Sequence, residues 1–300
     1  RSVIAPDAIG AAIVAGTLEA PKAGDAVTLP DGTKRTWEAI EIAAGQINHQ
    51  ALRGGYAYVP VQSDVEQVML LGATGHGLVY VNGEPRAGDP YSNGFVRVPV
   101  TLKAGRNDLL FRGGRGPIQV RFVPVESPLT VDAADATLPD AIEGAGGGML
   151  GGIVVINASS EWVRGATIVA SEEGGKPTTS PVGAMPPMSV CKSPFAFEIA
   201  PKQGVKEVRV LVRVVAAGAD AAPKPGSEAH VAVRVRKADE TRRITFRSEI
   251  DGSVQYYALR PARIADGKGD GLGLILSLHG ASVEGLSQAD AYAGKDWANI

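Results

Sequence analysis

Leu272-Gly273-Leu274-Ile275-Leu276-Ser277-Leu278-His279-Gly280 is the stretch on which the reading of the chain turns. A short apolar run that stops at His-Gly predicts a buried strand of a parallel sheet, closing in a functional turn. Gly280 lets the main chain approach a ligand closely, and the N–H groups beyond it can point at an oxyanion. Such a turn also needs a nucleophile and a base, and the residues up to Ile300 supply neither. On its N-terminal side, Arg242 to Ser248 and Val254 to Pro261 flank Asp251-Gly252, which reads as an antiparallel hairpin. A Gly-rich loop, 267–273, leads from that hairpin into the apolar run. On its C-terminal side, Leu286 to Trp297 has a helix-compatible composition.

Working outward, the chain has 300 residues, which suggests about two to three domains. A hydrophobic content of 44% supports packed cores and argues against a disordered chain. The 38 glycines and 20 prolines, among many valines, favour short strands joined by tight turns. A formal charge of −2 gives no reason to expect nucleic acid or an anionic membrane as the main partner. Cys191 is the only cysteine, so an intrachain disulfide framework is excluded. It reads as an idle thiol in a loop bounded by Pro186, Pro187 and Pro194. No apolar run approaches the ~20 residues of a membrane span. The run from Ile9 to Gly16 lacks the basic flank of a signal peptide. His49, His76, His230 and His279 are scattered without zinc spacing, so no metal and no cofactor is expected. The start at Arg1 and the abrupt end suggest a fragment or a processed product.

Five segments are expected. Residues 1–30 are Ala/Gly/Pro-rich and weakly ordered. Residues 31–128 form a first antiparallel β-sandwich, with short strands ~8–12 residues apart. Its clearest signals are Leu78-Val79-Tyr80-Val81 running into Asn82-Gly83, a two-residue hairpin turn, and the alternating strand at Phe95, Val96, Val98 and Val100. Trp37, Ile40 and Ile42 read as its first strand. Residues 129–152, with the run Gly144-Ala145-Gly146-Gly147-Gly148, read as a Gly/Ala-rich linker. Residues 153–240 form a smaller, immunoglobulin-like sandwich. There Val208, Val210, Val212 and Val214 alternate with polar residues, as do Val231, Val233 and Val235. Its arginines, Arg209, Arg213, Arg234 and Arg236, read as a solvated face. Asn157-Ala158-Ser159 fits the glycosylation triplet. Residues 241–300 form the last segment, the start of a catalytic domain.

Two resemblances add to this reading. Gly75-His76-Gly77-Leu78-Val79-Tyr80-Val81-Asn82-Gly83, followed by Val98-Pro99-Val100 and Leu102-Lys103-Ala104-Gly105-Arg106-Asn107, resembles galactose-binding-like jelly-roll modules of bacterial secreted enzymes. Thr74, Gly75 and His76 stand where those modules carry an acidic pair, and His76 reads as a loop residue. The resemblance implies an accessory module. Trp37, Tyr56 and Tyr58 are its candidate sugar-stacking platform, although aromatic residues in strands are more often core.

The last ~60 residues, with Leu276-Ser277-Leu278-His279-Gly280-Ala281 and Tyr292-Ala293-Gly294-Lys295-Asp296-Trp297, resemble the start of the α/β-hydrolase fold. The prolyl-oligopeptidase-like peptidases and esterases are the members it is most similar to. This implies an exported bacterial serine hydrolase, secreted or periplasmic, acting by acyl transfer on a peptide or ester. A main-chain donor at Ala281 would hold the oxyanion, Gly280 would allow the turn, and His279 would hold the loop. The nucleophile and base are expected beyond the chain. Ser287 lacks the Gly-x-Ser-x-Gly elbow, and Asp251, Asp290 and Asp296 precede any nucleophile. The fragment alone should be inactive. The rival expectation is a non-catalytic carbohydrate- or surface-binding β-sandwich protein, with a polysaccharide held by the first β domain.

Overall fold

The computed structural model describes residues 7–218, 224–262, 273–280, 283–293 and 295. The chain is mainly β. It divides into two units, Arg1–Val125 and Glu126–Ile300.

The first unit opens with α1 (Ala8–Val14), whose N-terminus is capped by the Asp7 carboxylate accepting from the Gly10 N–H at 2.9 Å. A small hairpin follows, β1 (Ala26–Thr28) with β2 (Lys34–Thr36). Both elements fall in or beside the stretch read as weakly ordered. The strand expected at Trp37, Ile40 and Ile42 is absent: these residues follow β2 as non-strand chain, and Ile40 and Ile42 are exposed with no ladder partner. Then come β3 (Gln46–Ile47), β4 (Tyr56–Ser63), β5 (Gln67–Thr74), β6 (His76–Val81) and β7 (Glu84–Asp89). β8 (Arg97–Leu102), β9 (Gly105–Gly113) and β10 (Ile118–Pro124) complete the unit. They form two four-stranded sheets, in the orders β3-β10-β5-β8 and β4-β9-β6-β7, with antiparallel pairing throughout. One core joins the two sheets: Leu71, Val98, Val100 and Ile118 from the first meet Val79, Leu109 and Phe111 from the second. Burying a side chain of this size is worth roughly 1.5–3 kcal/mol, so the inward-facing stripe decides the register. The turn between β6 and β7 is Asn82-Gly83, with φ of 52° and 86°. Those two left-handed residues are what the Asn-Gly pair supplies.

The second unit comprises β11 (Leu129–Thr137), β12 (Ala141–Ile142), β13 (Gly147–Asn157), β14 (Thr167–Glu172) and β15 (Thr178–Pro181). Next are β16 (Ser189–Ile199), β17 (Glu207–Val215), β18 (Glu228–Arg236), β19 (Arg242–Arg247), β20 (Val254–Leu259) and α2 (Gly285–Tyr292). A three-stranded sheet, β11-β13-β16, packs on a five-stranded one, β12-β18-β17-β14-β15. Their shared core holds Ile153, Val155, Phe195 and Phe197 against Ile168, Val210, Val212 and Val233. Residues 129–152 are therefore not a linker. They supply β11, β12 and the start of β13. Two glycines in β13 have a packing cause: a Cβ on Gly151 would sit 2.7 Å from the Phe195 ring, and one on Gly152 would sit 3.2 Å from Val254. Cys191 lies exposed on β16, not in a loop.

The hairpin β19–β20 forms around Asp251-Gly252 and docks on β13, with the Thr245 hydroxyl donating to the Leu150 carbonyl at 2.6 Å. The parallel strand expected at 272–280 is not formed. Leu272 lies outside the described residues, and 273–280 has no sheet partner among the described residues. Leu274 and Leu278 are 85% and 89% exposed. An apolar run becomes a buried strand only when flanking strands satisfy its main chain and cover both faces. Among the described residues the one parallel pairing is the two-residue contact of β12 with β18.

Candidate functional site

The first unit presents an ordered polar and aromatic face. Along β4 the odd residues Ala57, Val59 and Val61 face the core, so the even residues Tyr56 and Tyr58 face outward. On β9 the outward set is Arg106, Asp108, Leu110 and Arg112, and on β6 it is Leu78 and Tyr80. The register aligns them in rows. Tyr58, Leu110, Tyr80 and Pro85 form one row across β4, β9, β6 and β7, and Tyr56, Arg112, Leu78 and Ala87 form the next. Leu110 is only 4% exposed although it belongs to the outer face, because its neighbours across the ladder are both tyrosines.

The tyrosines are held. The Tyr58 hydroxyl donates to Asp108 and accepts from Arg106, whose Nε also donates to Asp108 at 2.9 Å. The Arg106 guanidinium lies 5.7 Å from the Tyr58 ring centre. The Tyr56 hydroxyl donates to Asp7 at 2.5 Å. Burial, and after it the bond to Asp7, pushes the Tyr56 hydroxyl pKa up, and Tyr58 is raised by burial and by Asp108 in the same way. Burial pulls Asp7 upward, but bonds from the Gly10 N–H and Tyr56, with the Arg112 charge, outweigh it and leave the carboxyl below its ordinary value. Tyr56 and Tyr58 are therefore neutral and Asp7 ionised over the ordinary pH range.

Two sequence-quoted residues have structural posts in this unit. Asn107 is fully buried. Its Oδ1 accepts from Asn82 Nδ2 at 2.9 Å and from the Lys103 N–H at 2.8 Å, while its Nδ2 donates to the Lys103 carbonyl at 2.9 Å. It thus joins the β6–β7 turn to the β8–β9 turn. His76 is not a loop residue. It begins β6, is 1% exposed, and packs edge-on against Phe111 with ring centres 5.3 Å apart. Burial outweighs the nearby Asp89 charge and lowers its pKa, so the ring is neutral. Trp37 is tied by its main chain to Gly24 and Asp25.

The second unit contains a cleft of about 280 Å³ beside β18, walled by Ala133, Ala136, Leu138 and Ala232. A wide bulge opens it. Asp132 pairs with Val154 and Thr137 with Gly152, so four residues of β11 face a single residue of β13. Asp140 sits at the base with its side chain 2% exposed. Its Oδ1 accepts from Arg234 Nε at 2.9 Å, and its Oδ2 accepts from Arg234 Nη2 at 3.0 Å and from the Arg243 N–H at 2.7 Å. A planar fork of this kind is the strongest form of Arg–carboxylate pairing. Arg243 also lines the cleft. Its Nε is buried with no hydrogen-bond partner among the described residues, and its Nη1 lies 3.7 Å from Glu284. Leaving a buried donor unmatched costs about 1–3 kcal/mol. β12 covers only the end of β18. The Val235 N–H and the Ser227 carbonyl bond toward β17, while the Arg236 carbonyl accepts from Glu143 on the other side. By strand alternation, the main-chain groups of His230, Ala232 and Arg234 point to that open side. Sequence reasoning placed Arg234 on a solvated face and passed over Asp140. No local pattern joins residues 94 and 103 positions apart.

The expected oxyanion turn is only partly described. His279 is exposed, with Nδ1 3.1 Å from the Gly280 oxygen, and the Gly280 carbonyl accepts from the Val283 N–H at 3.3 Å. Ala281 and Asp296 lie outside the described residues. Ser287 is exposed on α2. No group of three or more His, Cys, Asp or Glu that could hold a metal ion occurs among the described residues. No described helix is long and apolar enough to cross a membrane.

No protein-family model matches the chain, and no curated protein matches it. Some solved structures are similar. An exo-chitosanase from Amycolatopsis orientalis has a TM-score of 0.36 at 14% identity, over 68% of this chain and 27% of that one. A β-glucuronidase from Bacteroides uniformis has a TM-score of 0.37 at 10% identity, over 66% and 29%. A glycosyl hydrolase family 2 member from Bacteroides cellulosilyticus has a TM-score of 0.34 at 11% identity, over 78% and 36%. The chain thus spans about a third of their length or less, and likeness at this level carries no functional argument. These neighbours are glycoside hydrolases and not α/β-hydrolases. The run at 274–278 lies in no sheet. With no such strand among the described residues, the expectation of a serine peptidase or esterase with an α/β-hydrolase domain is corrected.

Proposed function

We propose that this chain is a non-catalytic, carbohydrate-binding region made of two β-sandwiches, the first jelly-roll-like and the second immunoglobulin-like. The outer face of β4, β9 and β6 is its sugar contact. The observation that carries the reading is the row Tyr58–Leu110–Tyr80, edged by the Arg106–Asp108 pair. A pyranose ring offers an apolar C–H face and a rim of hydroxyls. Tyrosine matches both, with a flat apolar body and a polar tip. Fixing the Tyr58 hydroxyl between Asp108 and Arg106 removes rotamer freedom before binding, so less entropy is lost on contact. The same pair offers a donor and an acceptor to neighbouring hydroxyls.

The test is a glycan array followed by calorimetry with the best neutral oligosaccharide. Saccharide binding is expected, with at least a tenfold loss in Tyr58→Ala and a smaller loss in Arg106→Ala. No binding to any glycan, or binding unchanged in Tyr58→Ala, would refute the proposal.

A further inference from the structure

The cleft in the second unit supports an assignment independent of the sugar face. We infer that it binds a small carboxylate, with the Arg243 guanidinium as the recognising cation. Two arginines line the cleft, and they differ in what they have left to give. Arg234 spends Nε and Nη2 on Asp140, so that pair is neutral as a unit. Arg243 does not: its Nε has no acceptor among the described residues, and the one ionic neighbour it has there, Glu284, stands 3.7 Å away and is half exposed.

Position strengthens the case. The main chain of Arg243 is locked to Asp140 in both directions, by its N–H to Asp140 Oδ2 at 2.7 Å and by the Asp140 N–H to its carbonyl at 3.0 Å. The base of the side chain is therefore fixed, and its guanidinium lies over the Tyr256 ring, 5.8 Å from the ring centre. A guanidinium fork matches a carboxylate in plane and spacing. The walls are alanines, a leucine and Pro139, which leave room for a compact carbon frame. A volume of about 280 Å³ suits a ligand of monosaccharide size. The open-side main-chain groups of His230, Ala232 and Arg234 offer donors and acceptors to its hydroxyls.

Three probes separate the sources of the carboxylate: D-glucuronate, D-glucose and succinate, each titrated into the full chain by calorimetry at low salt. D-glucuronate is expected to bind at least tenfold more tightly than D-glucose. Binding of succinate as well assigns the site to small carboxylates in general, and its failure assigns the site to sugar acids. Arg243→Gln is expected to abolish D-glucuronate binding and Arg243→Lys to weaken it, because lysine keeps the charge and loses the fork. Glu284→Gln removes the competing carboxylate and should tighten binding several-fold, which gives a gain-of-affinity check if Arg243→Gln fails to fold. Binding that Arg243→Gln removes belongs to the cleft and binding that it leaves belongs to the sugar face, so this site and the sugar face can fail separately. Equal affinity for D-glucose and D-glucuronate, no binding of either acid, or D-glucuronate binding unchanged in Arg243→Gln or in Glu284→Gln would overturn the inference.

Discussion

Asn107 shows what single residues contribute to the first unit. The quoted run Leu102-Lys103-Ala104-Gly105-Arg106-Asn107 exists because Gly105, at φ 89°, reverses the chain and Asn107 fills the space beneath the turn with four hydrogen bonds. Asn107→Ala strands these buried partners, so it should destabilise the first unit by about 2–3 kcal/mol in urea denaturation, with little change in the slope. His76 makes the other residue-scale prediction. Burial holds its pKa below the ordinary 6.5. The unfolded chain therefore binds the proton more readily, and the contribution is complete above pH 6.5 and is lost as pH falls below that value toward the lowered folded pKa. His76→Leu should flatten the acid-side decline of thermal stability below pH 6.5, and an unchanged decline would show that the histidine does not cause it. Both residues were quoted from the sequence. Their burial was not legible there, because it depends on Phe111 and Asn82, which lie 35 and 25 positions away.

At the scale of elements, alternation was legible where one face is buried and the other is wet. The valines of β17 and β18 read correctly as inward stripes because period two leaves them no other face. Glycine misled. The run in 144–148 and the pair Gly151-Gly152 have a linker-like composition, yet 147–152 is strand, and there Gly151 admits the Phe195 ring and Gly152 admits Val254. Composition reports flexibility only when nothing packs on the missing side chain. The bulge of β11 was likewise invisible, since a bulge is defined by its partner strand. The Asp140–Arg234 pair lines the cleft that the bulge opens, and its two halves differ: the Asp140 side chain is 2% exposed and the Arg234 side chain 33%. Removing the arginine leaves a buried carboxylate without its counter-charge, while removing the carboxylate leaves a cation that still reaches water. Arg234→Ala should therefore cost about 3–5 kcal/mol and Asp140→Ala clearly less. The reverse order in paired denaturation curves would contradict this account of the cleft.

At the scale of the molecule, the β-rich composition indicated the mainly β architecture, and the structure carries two separate cores within it. The function reading failed for a physical reason. Leu274 to Leu278 is apolar enough for a core strand, but a strand is specified by its neighbours, and this segment has none among the described residues. The tyrosine face was half legible. Tyr56 and Tyr58 were named together, whereas Tyr80, Leu110 and the Arg106–Asp108 anchor join them only through the register of three strands. The central claim is that this face holds the neutral sugar. The most direct test maps amide chemical-shift changes in the labelled chain on addition of the best-binding oligosaccharide. The account predicts that the changes concentrate at Tyr56, Tyr58, Tyr80, Arg106, Asp108 and Leu110. Changes confined to other surfaces, or none at saturating sugar, would contradict it.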